Sequence, residues 1–232
     1  MKAYVFYTSQ VKEWIDILTK SALNNKDLEI VPIQGHSLSM ADLSGQTSSQ
    51  EYMKLMMTRW LKLPGIIEEN TGSNIMFIDA DIVFNSNKLD FIDNLENFLK
   101  ENDLLTQYDN NDGMSLGINM GFLAIKCNER TLSFFREYVD EINSISVPKT
   151  GFPQIEFNNF IRDYDKEKVI KFMTLPKDYG YLTGNCYFYH AIGIGGHFQK
   201  MNAMRNALES FDAQCMVEEN EIALVVNTIS KN

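Results

Sequence analysis

The sequence predicts an α/β fold with a mainly parallel sheet flanked by helices. Short apolar runs alternate with segments of helical periodicity, a pattern typical of a parallel sheet covered by helices. The chain has 232 residues, of which 44% are hydrophobic, so it can bury the core that such a sheet requires. No linker divides the chain, and we expect residues 1–232 to form a single domain.

The strands are predicted from short apolar runs that are bounded by polar residues, glycine or proline. In chain order, these runs cover residues 3–7, 28–33, 75–78, 104–106, 117–126, 169–173 and 186–189. The second strand is expected to end at Pro32, and the last one to end at His190.

The helices are predicted from apolar residues at helical spacing. In chain order, these segments cover residues 14–23, 50–69, 91–99, 129–142, 153–162 and the region from Lys200 onward. Pro64 is expected to interrupt the second helix, because proline lacks the N–H group that a helix interior uses. Loops or turns are predicted where Gly, Ser, Thr, Asn and Asp cluster, at residues 35–49, 109–113 and 193–196.

Asp79 and Asp81 stand one residue apart at the end of the apolar run 75–78. In open α/β sheets, ligand-binding residues emerge at the carboxyl ends of the strands. If the backbone stays extended through Ala80, both carboxylates point to the same side and raise each other's pKa unless a cation lies between them. Carboxylate oxygens suit Mg²⁺ or Mn²⁺, so the pair predicts a divalent metal site. The alternative is a pair of structural aspartates that cap a turn.

The charge of the chain excludes two classes of partner. The net charge is −10 and the pI is near 4.8, and no cluster of Lys and Arg is present. Non-specific binding to nucleic acid or to anionic lipid depends on such clusters. We therefore expect no nucleic-acid partner, and a phosphorylated ligand would need a metal or a few well-placed basic side chains.

The sequence also bears on the cellular compartment. The three cysteines are widely separated and lack CxxC spacing, which indicates neither a disulfide framework nor a zinc site. The amino terminus lacks the pattern of a signal peptide, and no apolar stretch approaches the ~18 residues of a membrane span. We expect a cytoplasmic protein without a transmembrane segment.

An ordered set of short motifs resembles the GT-A-fold nucleotide-sugar glycosyltransferases. In chain order, the motifs are Asp79-Ala80-Asp81, Asn119-Met120-Gly121-Phe122, Gln154 with Phe157-Asn158, and His190 with Gly193 and Lys200. The resemblance spans nearly the whole chain. It implies a GT-A-type, Rossmann-like nucleotide-diphospho-sugar transferase fold and a hexosyltransferase activity. The donor would be a UDP- or GDP-sugar, and the acceptor a hydroxyl group of a saccharide or another molecule.

The same resemblance implies roles for individual residues. Asp79, Asp81 and His190 would hold Mn²⁺ or Mg²⁺, and Lys200 would close over the donor diphosphate. The residues that would bind the donor are Tyr7, Thr8, Ser9, Arg59 or Lys62, Asp79, Ala80, Gly121, Gly193 and Lys200. The residues placed beside the reacting sugar or the acceptor would be Asn119, Gln154 and Glu156.

One position departs from the pattern of the family. Relatives often have Asp-Gln where this chain has Pro153-Gln154, so an acidic residue that orients the acceptor is missing. Glu156 lies nearby and would reach the same pocket from a loop, but on a helix it would face elsewhere.

Two other functions fit parts of the sequence. The stretch from Asp79 to Val83 matches the opening of haloacid-dehalogenase-type phosphatases, in which the first aspartate is the nucleophile. Against this, the motif lies a third of the way along the chain, and no later acidic pair completes a Mg²⁺ site. The missing acid before Gln154 instead favours a non-catalytic protein that binds a sugar nucleotide, which would show metal-dependent binding without turnover.

Overall fold

A computed structural model describes residues 1–35, 50–108, 118–144, 153–164, 170–180, 186–192 and 194–212. The strands are β1 (Lys2–Tyr7), β2 (Glu29–Gln34), β3 (Asn74–Ile78), β4 (Ile82–Phe84), β5 (Leu104–Tyr108), β6 (Ile118–Lys126), β7 (Phe172–Thr174) and β8 (Phe188–His190). The helices are α1 (Lys12–Ala22), α2 (Gln50–Glu69), α3 (Phe91–Glu101), α4 (Glu129–Ser144), α5 (Pro153–Asp163) and α6 (residues 197–212). The predicted turn at 109–113 and most of the loop predicted at 35–49 lie outside the described residues.

The central sheet has six strands in the order β2-β1-β3-β6-β5-β7. Strand β1 pairs in parallel with β2 and β3, and β5 pairs in parallel with β7, whereas β6 runs antiparallel to both β3 and β5. Every strand of this sheet except β6 therefore runs in the same direction. This arrangement confirms the predicted α/β fold with a mainly parallel sheet. A separate antiparallel pair is formed by β4 and β8.

Two prolines lie inside elements that they were expected to end or interrupt. Strand β2 continues through Pro32, which pairs with Val5 of β1. Because β2 is an edge strand, the missing N–H group of proline is tolerated there. Helix α2 continues through Pro64, since the flanking Leu63 and Ile67 are fully buried and their packing holds the helix in place.

Alternate residues of the central strands pack into cores on opposite faces of the sheet, as the two-residue period of a strand requires. In β3, Ile75 and Phe77 belong to a core with residues of α2, α4 and α5. Met76 and Ile78 point to the other face, where residues of α1 and α3 cover them. The sheet is thus buried on both faces, which explains the almost unbroken apolar run of β3. Within the described residues, no helix is both long and apolar enough to cross a membrane.

Strand β6 contains an irregularity that shapes the site. Thr106 of β5 pairs with Leu123, but the next residue, Gln107, pairs with Asn119, so three residues of β6 have no counterpart in β5. An odd number of extra residues moves the side chains beyond them to the other face of the sheet. Met120 therefore lies in the core under α2, whereas Phe122 lies in the core on the opposite face. Such bulges redirect side chains and are frequent next to active sites.

Candidate active site

The two aspartates lie in a turn at the carboxyl end of β3. Strand β3 ends at Ile78, and the segment from Asp79 to Asp81 connects it to β4. The backbone therefore does not stay extended through Ala80, although an extended backbone is the condition under which the sequence predicts that the two carboxylates point to the same side. The carboxylates nevertheless converge, because one ligand atom from each of Asp79, Asp81 and His190 lies within 4.8 Å of the others.

The pairing of β4 with β8 brings His190 to the aspartates. Ile82, the residue after Asp81, pairs with His190, and the N–H of Ala191 donates to the carbonyl oxygen of Asp81 at 3.1 Å. The small sheet thus joins residues that are distant in sequence. His190 is the last residue of β8, the position that the sequence predicted for it.

The three side chains offer the ligands of a divalent cation. His190 Nε2 lies 3.2 Å from Asp81 Oδ1 and 3.6 Å from Asp79 Oδ2. Asp81 and His190 are buried, whereas the Asp79 side chain is 32% exposed and opens the cluster to solvent. Two hard carboxylate oxygens and one imidazole nitrogen suit Mn²⁺ and Mg²⁺, so these residues fit the metal that the sequence predicts.

A buried arginine lies against the first aspartate. Arg59 Nη1 donates to Asp79 Oδ1, and Nη2 donates to the carbonyl oxygen of Met120 at 3.4 Å. Its guanidinium lies 4.6 Å from the ring centre of Phe77, which stabilises the cation. Lys62 is exposed one turn further along α2. Of the two basic residues that the sequence offered, the structure therefore brings Arg59 to the aspartates.

Lys200 reaches the second aspartate from α6. Its Nζ donates to Asp81 Oδ2, so Asp81 contacts both a lysine and a histidine. Helix α6 is anchored by Met204, Leu208 and Phe211, which pack with Val83 of β4 and Tyr189 of β8. The helix that carries Lys200 thus packs directly on β4, which follows Asp81, and on β8, which ends at His190.

The charges shift the acidity of all three candidate ligands. Burial raises the pKa of Asp79 and Asp81, but Arg59 together with His190 beside Asp79, and Lys200 together with His190 beside Asp81, outweigh it, so both pKa values lie below the usual range. Burial lowers the pKa of His190, whereas Asp81 and Asp79 raise it, and the pKa is raised to about 9. In the metal-free site, His190 is therefore a cation at neutral pH.

This raised pKa predicts how stability depends on pH. His190 gains its partners on folding, so its contribution is fully present below its unfolded pKa of about 6.5 and is lost as the pH rises through about 9. In the presence of a chelator, we expect the wild-type free energy of unfolding to fall by a few kcal/mol, relative to His190→Gln, between pH 6.5 and 9.5. Urea denaturation of both proteins at the two pH values tests this expectation. Parallel changes in the two proteins would contradict it.

Gly121 lies in the bulge of β6 where the site side chains meet. A Cβ atom at this position would lie 2.5 Å from Asp79 Oδ2 and 2.9 Å from Asn119 Oδ1, and closer still to His190 Cε1. Asn119 Oδ1 accepts the Gly121 N–H at 2.7 Å, and the Gly121 carbonyl accepts the Asp79 N–H at 2.7 Å. Glycine is thus required by the close approach of three candidate site residues.

Helix α5 supports the start of β6 through two amide side chains. Gln154 Oε1 accepts the N–H of Met120 at 3.3 Å, and Asn158 donates to the carbonyl oxygen of Ile118 at 3.0 Å. These residues are four apart and therefore share a face of the helix. Glu156 lies on a different face, close enough to Tyr138 to contribute to the raised pKa of that phenol. Residue 156 is helical, which is the case in which its side chain is expected from the sequence to face away from the acceptor pocket.

The predicted donor-binding residues at the end of β1 and just after it differ in exposure. Thr8 is 2% exposed and its hydroxyl has no hydrogen-bond partner, whereas Tyr7 is half-buried and Ser9 is exposed. Ala80, between the aspartates, is buried. Gly193 lies outside the described residues.

Gln107 is a candidate functional residue that the sequence analysis missed. Its Oε1 lies 2.7 Å from His190 Nδ1, and the residue is buried. The predicted strand stopped at Thr106, although β5 continues to Tyr108. The sequence feature that could have indicated Gln107 is a polar side chain at the carboxyl end of an apolar strand. Asp79 occupies the same position after β3, to which β5 is parallel.

Several solved glycosyltransferases share this fold at low sequence identity. The glycosyltransferase GlyE of Streptococcus pneumoniae TIGR4 aligns over 94% of this chain with a TM-score of 0.57 and 13% identity, and the alignment spans 63% of the GlyE chain. A glycosyltransferase involved in glycosylation of the major capsid of PBCV-1 aligns over 88% of this chain and 99% of its own, with a TM-score of 0.59 and 13% identity.

The galactosyltransferase LgtC, solved with donor and acceptor sugar analogues, aligns over 92% of this chain and 96% of its own, with a TM-score of 0.53 and 11% identity. At these identities the likeness establishes the fold alone, and it confirms the predicted GT-A type.

The sequence itself matches a family model. No curated protein matches the chain. The model of the nucleotide-diphospho-sugar transferases matches residues 15–204, a range that contains the aspartates, His190 and Lys200. No comparison supports the phosphatase alternative. The chain therefore belongs to the nucleotide-diphospho-sugar transferases, the family of glycosyltransferases that its motifs resemble.

Proposed function

We propose that this chain transfers a hexose from a UDP- or GDP-sugar to a hydroxyl group of a saccharide or similar acceptor, in a reaction that depends on Mn²⁺ or Mg²⁺. The observation that carries the proposal is the convergence of Asp79, Asp81 and His190 within 4.8 Å. This cluster lies at the carboxyl end of β3, where α/β sheets bind their ligands.

The charge balance of the cluster supports diphosphate binding. Glycosyl transfer breaks the bond between the anomeric carbon and the diphosphate, so negative charge grows on the leaving group. A divalent ion held by Asp79, Asp81 and His190 would bind the diphosphate oxygens and stabilise that charge. Arg59 and Lys200 contact the carboxylates from two other elements and supply two further positive charges beside the leaving group.

Buried polar groups without partners support a donor site beside the metal ligands. The Thr8 hydroxyl and Arg59 Nε are both buried and have no hydrogen-bond partner. Such groups cost free energy unless a ligand or water satisfies them. We propose that Tyr7, Thr8 and Ser9 contact the base and ribose of the donor.

The acceptor side is assigned to the bulge of β6 and the first turn of α5. Asn119 offers both a donor and acceptor atoms, and Gly121 allows close approach of a ligand to the backbone. Gln154 completes this side through its contact with the backbone of Met120. We assign no catalytic base, because Glu156 lies near Tyr138 and on a different face of α5 from Gln154 and Asn158.

Three finer statements belong to the proposal. Mn²⁺ is preferred to Mg²⁺, because the imidazole ligand is softer than an oxygen. Residues 1–232 form one domain, which is supported by cores on both faces of a single sheet. The protein works in the cytoplasm, a proposal supported by the free, buried thiols of Cys127 and Cys186.

Thermal unfolding tests the proposed donor class. The protein is heated with UDP- and GDP-sugars, each with Mn²⁺ and with EDTA. A donor at ~100 times its Kd stabilises the folded state by about 2.7 kcal/mol, so we expect a rise in Tm of about 5–10 °C that requires Mn²⁺. The corresponding sugar monophosphates serve as the control for the phosphatase alternative.

The outcomes separate the three functions, and release of inorganic phosphate from the sugar monophosphates would favour the phosphatase. Release of nucleoside diphosphate from the stabilising donor, with transfer to an added saccharide, supports the glycosyltransferase. Metal-dependent stabilisation with neither hydrolysis nor transfer to any acceptor would favour the non-catalytic alternative. No stabilisation by any sugar nucleotide would contradict the proposal.

A further inference from the structure

A buried chain of hydrogen bonds lies behind His190, on the side away from the aspartates. His190 Nδ1 lies 2.7 Å from Gln107 Oε1, and Gln107 Nε2 donates to the carbonyl oxygen of Gly180 at 2.6 Å. Because a backbone carbonyl can only accept, its contact fixes which end of the Gln107 amide is the donor. The opposite end is then an oxygen, and His190 Nδ1 must carry the proton.

The proton on Nδ1 determines the state of Nε2, the other nitrogen of the ring. A neutral imidazole carries one proton, so a proton on Nδ1 leaves a lone pair on Nε2. Nε2 is the atom that faces Asp81 and Asp79, at 3.2 Å and 3.6 Å. Without an acceptor at Nδ1, these carboxylates would favour the proton on Nε2, and that nitrogen could not bind a metal.

We propose that Gln107 is a positioning residue that selects the metal-binding tautomer of His190. The inference rests on the proposed function, because it assigns His190 Nε2 as a ligand of the same ion. The Gln107 side chain contacts His190 and the backbone of Gly180 rather than the carboxylates, so it acts through the histidine. Hydrogen-bond partners of this kind fix the tautomer and orientation of metal-binding histidines.

The surrounding structure holds Gln107 firmly in place. It is the first residue of β5 after the register shift, and it is 2% exposed. A Cβ atom at Gly180 would lie 2.9 Å from Gln107 Nε2 and 2.6 Å from the ring of Phe188. Because residue 180 has no side chain, its backbone can pack against both the Gln107 amide and β8, the strand that ends at His190.

Gln107→Met is the variant that removes the hydrogen bonds while keeping the length and nearly the volume of the side chain. Its matched control is Thr106→Val, because Thr106 is the preceding buried residue of β5 and its hydroxyl has no partner. We expect the Mn²⁺ affinity of Gln107→Met, measured by calorimetric titration of the metal-free protein, to fall by ~10- to 100-fold. Thr106→Val should bind Mn²⁺ as the wild type does.

The tautomer is read directly by ¹⁵N NMR of the histidine rings in the metal-free protein at pH 10. The chain has three histidines, so comparison with His190→Gln assigns the signals of His190. We expect the proton on Nδ1 in the wild type and on Nε2 in Gln107→Met. A residue that merely supports the fold would lower Tm in the variant without moving this proton.

Two results would overturn the inference. If Gln107→Met binds Mn²⁺ within twofold of the wild type, or keeps the proton on Nδ1, Gln107 does not select the tautomer, although the proposed function stands. If the wild type binds no Mn²⁺, the proposed metal site fails, and the role of Gln107 fails with it.

Discussion

Replacing Asp81 with asparagine is expected to reduce sugar transfer and donor hydrolysis on the order of 10²–10³-fold, the size of effect seen when one group that stabilises transition-state charge is removed. The amide keeps the shape of the side chain but loses the charge that faces both His190 and Lys200. We expect Mn²⁺ affinity to fall together with activity. Calorimetric titration with Mn²⁺ and an assay of nucleoside diphosphate release measure the two effects.

Asp93→Asn is the matched control for this substitution. Asp93 is exposed in the first turn of α3. Its substitution removes the same charge at a position away from the cluster of Asp79, Asp81 and His190. We expect wild-type activity and Mn²⁺ affinity in this variant. Retained transfer or donor hydrolysis by a folded Asp81→Asn protein, shown to be folded by its circular dichroism and Tm, would refute the metal role of Asp81.

Adding a single methyl group at Gly121 is expected to damage both activity and stability. The new Cβ would overlap with His190, Asp79 and Asn119, so at least one of them must move. A displacement of ~1 Å in a catalytic arrangement can cost about 10²-fold in rate, and overpacking of a buried position costs about 1–3 kcal/mol. We therefore expect Gly121→Ala to lose about two orders of magnitude in kcat/KM and to melt several degrees below the wild type.

The same substitution at Gly65 is the control. A Cβ atom at this residue of α2 has open space around it, and the backbone is helical. Alanine at such a position stabilises a helix by about 0.4–1 kcal/mol, so Gly65→Ala should melt slightly above the wild type and keep its activity. If Gly121→Ala matches Gly65→Ala in both assays, the steric argument for the glycine is wrong.

Much of the candidate site was predictable from local sequence. Asp79 and Asp81 follow a run so apolar that two carboxylates need a specific partner, and His190 ends another short apolar strand. The motifs around these residues identify the family, and the model of that family matches most of the chain. The roles of the individual residues stay predictions until the variants are measured.

Other features depend on contacts between distant segments. Sequence left Arg59 and Lys62 as equal candidates, since both lie on one helix, and only the packing of α2 against β3 places Arg59 beside Asp79. Glu156 could have faced the site from a loop, but α5 is helical, and the face that bonds to β6 carries Gln154 and Asn158 instead. Strand continuity through Pro32 likewise depends on β2 lying at the edge of the sheet.

The sequence by itself determined the alternation of strands and helices, the family and the carboxylate pair, because each of these is set by neighbours along the chain. Only the tertiary structure decided that Gln107 lies behind His190 and that β6 bulges at Gly121. Both depend on the register between β5 and β6, and on β8 pairing with β4. Registers of this kind are fixed by packing across the whole sheet, which a local pattern of residues does not encode.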